Sequence, residues 1–222
     1  MMDLHKFDDT DNEYKKVILK HIQKNKTEIW RPIIGFSRYA VSSCGRIKNI
    51  HSNKCLKTYM NINQGYKAVK VTSCNGKRKA FLVHRLLAMA FVPNILNKPF
   101  VDHIDRDKTN NLVTNLRWAT ASENQFNRPP KSGRSSRHKG VLWDKGKKKW
   151  CARIKYNYKK YFLGNYKDED DAGEAFNVVA KLLHNEFAYL NRVKEGRKRR
   201  NQRYYAKNKE RLKATANKIL SS

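Results

Sequence analysis

The stretch FVDHIDRDKTNNLVTNLRWATASENQFNR, Phe100 to Arg128, decides how this chain is read. Val101 and Ile104 are spaced for a short strand that carries Asp102 and His103 on opposite sides. The segment after it holds Asn110, Asn111 and Asn115 and predicts a structured loop, because asparagine tolerates left-handed backbone and bonds its own main chain. Leu112, Leu116 and Trp118 are placed to anchor that loop in a core. Thr120-Ala121-Ser122-Glu123 is a capping box, so a helix starts at Thr120 and Asn124 falls in its first turns. A strand, a loop and a helix in this order can bring Asn124 back towards Asp102 and His103.

These residue types suffice for phosphodiester cleavage. A divalent ion between Asp102 and the Asn124 amide oxygen would stabilise charge on a pentavalent phosphorus and on the leaving oxygen. Hard oxygen ligands select Mg²⁺ or Mn²⁺ over zinc. An imidazole ordinarily titrates near pH ~6.5, so a histidine at position 103 can take a proton from water at neutral pH. Asn115 is placed to orient that histidine through its backbone or its amide. The same residues can also build a purely structural loop rich in Asx turns.

Downstream, PPKSGRSSRHK (129–139) reads as a linker. Three strands are expected at Gly140–Trp143, Lys149–Tyr156 and Lys159–Asn165, then an amphipathic helix over Asp168–His184 with an acidic first turn. On the second strand Trp150, Ala152 and Ile154 share one face, and Cys151, Arg153 and Lys155 the other. Residues 192–222 form a basic tail in which Tyr205, Leu212 and Ile219 recur every seven residues. It is either a solvated segment or a helix that orders on a phosphate backbone. Upstream, residues 30–83 are β-rich, with Asn75-Gly76 as a hairpin signal, and a helix follows up to Phe91, stopped by Pro93. A short helix with a thin apolar stripe is expected within 3–26.

The chain has 222 residues, 49 Lys+Arg against 19 Asp+Glu, and a formal charge of +30. Residues 1–28 are neutral; 29–128 carry +13, 129–191 carry +7 and 192–222 carry +10. Such a surplus calls for a polyanionic partner, nucleic acid above all. The 29–128 segment has only four acids, and three of them, Asp102, Asp105 and Asp107, cluster where the metal is expected. The longest apolar run, Leu86–Val92, is far too short to span a bilayer, and no secretory leader is evident, so an intracellular protein is expected. Cys44, Cys55, Cys74 and Cys151 have no zinc-finger spacing and are expected as reduced thiols.

VDHIDRDKTNNLVTNLRWATASENQFNR, with the preceding VHRLLAMAFVPN, resembles the HNH homing endonucleases of phages and large viruses. The resemblance implies a ββα-metal motif with Asp102 and Asn124 as metal ligands, His103 as general base and Asn115 as the central asparagine that braces the loop. Asn124 stands where many HNH proteins have histidine. His84 and Arg85 match the HR pair before the motif; His84 reads as structural or phosphate-contacting, and Arg85 as a DNA contact. EIWRPIIGFSRYAVSSCGRIKN (Glu28–Asn49) resembles the NUMOD4 module, with Arg38, Arg46 and Lys48 as phosphate candidates and Trp30 and Tyr39 as core aromatics. Ser135–Asn191 resembles the AP2 DNA-binding domain, marked by Trp150, Ala152, Ile154, Phe162-Leu163-Gly164 and Ala175-Phe176. Leu142 and Asp144 stand where plant AP2 factors usually place arginines. That likeness implies a three-stranded sheet laid into the major groove, with Lys139, Arg153, Lys155 and Lys160 on DNA and Arg153 as the base reader.

The expected fold is α+β. It comprises an N-terminal helical extension (1–27), a NUMOD4-like module (28–80), an HNH domain (81–128), a linker (129–139), an AP2-like domain (140–191) and a basic tail (192–222) that adds Arg199 and Arg200 as DNA contacts. The expected function is a metal-dependent, homing-type endonuclease, a monomer or weak dimer that nicks duplex DNA. The alternatives are a non-catalytic, sequence-specific DNA-binding regulator and a binder of structured RNA.

Overall fold

The computed structural model describes residues 28–73, 75–194 and 202–221. The helix expected within 3–26, Cys74, and Arg199 and Arg200 lie outside the described residues. The chain forms two compact units that divide between Asn124 and Gln125. Both mix helices with small antiparallel sheets. Among the described residues no helix is long and apolar enough to cross a membrane.

The first unit opens with a three-stranded sheet of β1 (Trp30–Ile33), β2 (Phe36–Ser42) and β3 (Ile47–Asn49). A second sheet joins β4 (Tyr59–Asn61), β5 (Tyr66–Thr72) and β6 (Arg78–Leu82). The turn at Asn75-Gly76 brings Thr72 opposite Arg78. Helix α1 (Val83–Phe91) follows β6 directly and ends at Val92, because Pro93 cannot continue it. Its buried face, Val83, Leu86, Leu87 and Phe91, packs with Val41, Ile47, Val69 and Val71 from the two sheets and with Val101 and Leu116. Those last two belong to a hairpin of β7 (Phe100–His103) and β8 (Leu116–Ala119), which pairs Asp102 with Arg117 and His103 with Leu116. Helix α2 (Ala121–Phe126) leaves β8 through the expected capping box. The Thr120 hydroxyl accepts from Glu123 N, and Glu123 accepts from Thr120 N. Tyr39 is a core aromatic as expected, whereas Trp30 stays half-buried, with Lys48 Nζ 4.6 Å from its ring centroid.

The second unit is built on β9 (Val141–Asp144), β10 (Lys149–Tyr156) and β11 (Lys159–Tyr166), with β10 central. Helix α3 (Glu169–Leu183) is N-capped by Asp168, whose carboxylate accepts from Asp170 N at 2.8 Å. Ala172, Ala175, Phe176 and Val179 of α3 close over Ala152, Ile154 and Leu163 of the sheet.

Two expectations for this unit change. Ser136 and His138, placed in the linker, are buried. The Ser136 hydroxyl bonds Glu169, and His138 Nε2 lies 2.7 Å from the Asp170 carboxylate. The acidic first turn of α3 recruits these donors, so the end of the expected linker folds onto the domain. The basic tail changes more. Residues Gln202–Leu220 form helix α4, and its Leu212, Ala216 and Ile219 are buried in the same core as α3. Arg211 donates to the Leu163 carbonyl and to the Tyr166 hydroxyl, both at 3.1 Å. Leu212 and Ile219 are therefore docked rather than solvated.

Candidate active site

Asp102 and His103 are both buried near the end of β7. The hairpin register sets Arg117 across from Asp102, and its Nε and Nη2 donate to Asp102 Oδ2 at 2.9 and 2.8 Å. Both side chains are over 90% buried, so the ion pair lies out of bulk water. Arg117 was missed in the sequence; the signal available was the antiparallel register that places it opposite Asp102.

His103 Nε2 lies 3.1 Å from Asn111 Oδ1. An amide oxygen only accepts, so His103 Nε2 donates this bond. Asn111, also buried, thus holds the histidine, a role expected of Asn115. Asn115 bonds within the loop, the segment the resemblance expects it to brace. Its Nδ2 donates to Asp105 Oδ1 at 2.8 Å and to the Asn110 carbonyl at 2.9 Å, and its Oδ1 accepts from Asp105 N at 3.0 Å. The loop needs these bonds because Arg106 sits at φ 71, in the left-handed region.

Asp105 and Asp107, expected beside the metal, are occupied as loop acceptors. Burial alone would raise the Asp105 pKa, but hydrogen bonds from Asn110, Asn115 and the Asp107 amide outweigh it and hold the carboxyl below its ordinary value. Thr109, through its hydroxyl and its amide, does the same for Asp107. Asn124 sits half-buried on α2, its amide bonded to the Thr120 carbonyl. The antiparallel hairpin pairs Ala119 with Phe100, so α2 departs close to the strand that carries Asp102.

His84 is buried beside His103, with ring centroids 5.1 Å apart. Burial, then the charges of His103 and Arg85, push its pKa down to about 3, which keeps it neutral. Arg85 donates to the Pro99 carbonyl at 3.0 Å and lies over Trp118. Arg46 is ion-paired with Glu28 and lies 5.5 Å from the Trp30 centroid, so its charge is partly neutralised.

On the second unit, Arg153 and Lys160 line one shallow depression with Cys151, Phe162 and Asn165. Lys155 pairs across the strands with Lys160. Cys151 is buried at the floor, its Sγ 3.2 Å from Arg153 Nε. Lys139 does not join this face. Its ammonium donates to the carbonyls of Gln125, Phe126 and Arg128 at 2.9, 2.7 and 2.8 Å, so all three donors serve the end of α2 rather than a phosphate.

Comparison with known proteins finds likenesses within the first unit and its end. Residues 28–80 match the NUMOD4 motif and residues 81–126 match the HNH endonuclease family. The chain is 42% identical over 103 residues to the uncharacterized HNH endonuclease L247 of Acanthamoeba polyphaga mimivirus, covering 45% of this chain and 25% of that protein. It is 41% identical over 103 residues to the DNA endonuclease I-HmuI of Bacillus phage SP01, covering 45% of this chain and 58% of that one. A solved structure of I-HmuI, described as showing DNA binding and cleavage by an HNH homing endonuclease, is 40% identical with a TM-score of 0.41, over 44% of this chain and 55% of that chain. The chain therefore spans 25% and 58% of the lengths of these two relatives. Residues 28–126 are thus similar to a NUMOD4 motif leading into an HNH endonuclease domain.

Proposed function

We propose that this chain is a homing-type endonuclease that hydrolyses one strand of duplex DNA with the help of Mg²⁺ or Mn²⁺. The observation that carries the reading is His103. Its Nε2 lies 3.1 Å from the Asn111 amide oxygen, and Asp102 precedes it on the same strand of an HNH segment. A relative named as a DNA endonuclease supports the substrate.

Asp102 and the Asn124 amide oxygen would hold the cation. One carboxylate and one neutral oxygen fit a hard ion that keeps water and takes its remaining ligands from phosphate. They do not fit zinc, and among the described residues no group of three or more His, Cys, Asp or Glu could cage a metal. When bound, the cation supplies stabilisation of the charge that develops on the phosphate and the leaving oxygen. The chain's own residues do the rest. His103 Nδ1 accepts the proton of the attacking water. Arg117 fixes the direction of the Asp102 carboxylate, and Asn115 keeps the connecting loop in shape.

The second unit holds the substrate. A three-stranded sheet with α3 closed over it, and α4 docked in the same core, supports an AP2-like mode, in which Arg153 contacts guanine bidentately and Lys155 and Lys160 contact phosphates. One nuclease site among the described residues favours nicking over a double-strand break. The test is conversion of supercoiled plasmid to the nicked circle in Mg²⁺ or Mn²⁺, comparing wild type with His103→Ala. The expected result is metal-dependent nicking lost in the variant. Equal nicking by both removes the mechanism, and tight binding with no nicking by the wild type makes the chain a DNA-binding regulator.

A further inference from the structure

We infer that the NUMOD4-matched half of the first unit is part of the cutting machinery: Tyr66 is a positioning residue for His103, and the turn at Gly45 seats the Asn111 that holds the same imidazole. The inference rests on the reading of His103 as general base. Residues 81–126 carry the HNH match, and both Tyr66 and Gly45 lie before it, in the NUMOD4 match.

Tyr66 opens β5, and its ring lies nearly parallel to that of His103, with centroids 5.8 Å apart and planes at 21°. The same ring meets His84 at 4.5 Å. Lys108 comes from the loop between β7 and β8 and stands 4.7 Å from the Tyr66 centroid. Its ammonium donates to the Gln64 carbonyl at 2.9 Å. That bond ties the loop beside the catalytic strand back to the turn between β4 and β5.

The second support comes from the turn between β2 and β3. Gly45 has φ +78, and a Cβ there would stand 2.7 Å from the Asn111 carbonyl oxygen and 2.8 Å from the Asn111 Cβ. Only glycine lets the turn lie this close. The neighbouring Ser43 carbonyl accepts from Val113 N at 3.0 Å, which fixes the chain on the far side of Asn111. The two supports do different work. A hydrogen bond at Nε2 fixes one point of the imidazole and leaves rotation about that point. A stacked ring fixes the plane. A general base must be held in both respects to aim Nδ1 at water.

The test compares Tyr66→Phe with Tyr66→Leu in the full chain. Single-turnover nicking with Mg²⁺ gives the cleavage rate at saturating protein, and its concentration dependence gives DNA affinity. The ¹H–¹³C signal of the His103 Cε1 in metal-free protein reports stacking without any catalysis. Tyr66→Phe keeps the ring and should keep both readouts. Tyr66→Leu should lower the cleavage rate roughly three- to tenfold, the size set by one aromatic pair, with affinity unchanged. It should also move the Cε1 proton downfield as the shielding ring is lost. If the leucine variant does not fold, Tyr66→Met takes its place with the same expectations. A Leu or Met variant that cuts at the wild-type rate overturns the inference, as does a rate loss due wholly to weaker DNA binding. If the wild type cuts no DNA, the endonuclease reading fails by itself. The histidine signal then decides the stack, and an unmoved signal overturns it.

Discussion

Replacing Arg117 by methionine should cost more stability than any exposed arginine in the first unit. The side chain reaches Asp102 with two hydrogen bonds to Oδ2, and 8% and 7% of the two side chains remain exposed. Methionine fills much of the volume but leaves the carboxylate buried without its partner. Removing one member of a buried pair costs about 3–5 kcal/mol, because the loss includes an uncompensated charge. An exposed pair such as Lys213–Glu210 is worth at most about 1 kcal/mol. The assay is urea unfolding at pH 7 and 25 °C, followed by the fluorescence of Trp30 and Trp118 in the first unit. The double variant Asp102→Asn/Arg117→Met removes the stranded charge, so it should be more stable than the sum of the single losses predicts. The expected coupling is at least about 2 kcal/mol. A loss below about 1 kcal/mol for Arg117→Met, or a coupling near zero, would refute the buried ion pair.

Other expectations follow from the second unit. Leu212 is 3% exposed in the shared core, so Leu212→Ala should destabilise this unit by about 2–5 kcal/mol in urea; a change under about 0.5 would mean α4 does not dock. Lys139→Ala should cost about 0.5–1.5 kcal/mol, since water replaces the ammonium at the exposed Gln125 and Arg128 carbonyls, and leave the salt dependence of DNA binding unchanged, whereas a shallower salt slope would return Lys139 to the phosphate contacts. Burial pushes the His184 pKa down to about 4, the Lys155 carbonyl opposing and the Lys139 charge assisting. The unfolded chain binds this proton near pH ~6.5, so the folded state loses stability as pH falls from 6.5 towards 4 and keeps it above 6.5. His184→Phe, which preserves the stack on Phe126, should flatten that dependence, and a His184 NMR midpoint near 6.5 would contradict it.

The comparison of Asp102 with Asn111 shows what could be read from sequence. Asp102, His103 and the capping box at Thr120 were legible because their meaning is local: a strand, a turn and a helix start are set by neighbours along the chain. The α+β character, the helix stopped by Pro93 and the three strands before Asp168 follow from the same short-range patterns. The roles of Asn110, Asn111 and Asn115 were not separable in that way. All three suit an Asx-rich loop, and only the folded path decides that Asn115 bonds Asp105 while Asn111 meets the imidazole.

The charges divide along the same line. The +30 surplus and its spread over the chain are facts of sequence, and they are why a polyanionic partner is expected. Which cations face that partner is not a sequence property. Lys139 turns its ammonium to three carbonyls, Arg46 meets Glu28, and Arg117 is buried on Asp102, while Arg153 and Lys160 stay together on an open sheet face. A lysine or arginine is long enough to reach either a phosphate or an unpaired acceptor within the fold, and the choice depends on acceptors far away in sequence. The sequence alone determined the chemistry available at Asp102 and His103. Tertiary structure decided which side chains orient it, because those partners come from strands and turns more than fifty residues apart in the chain, from Gly45 to Arg117.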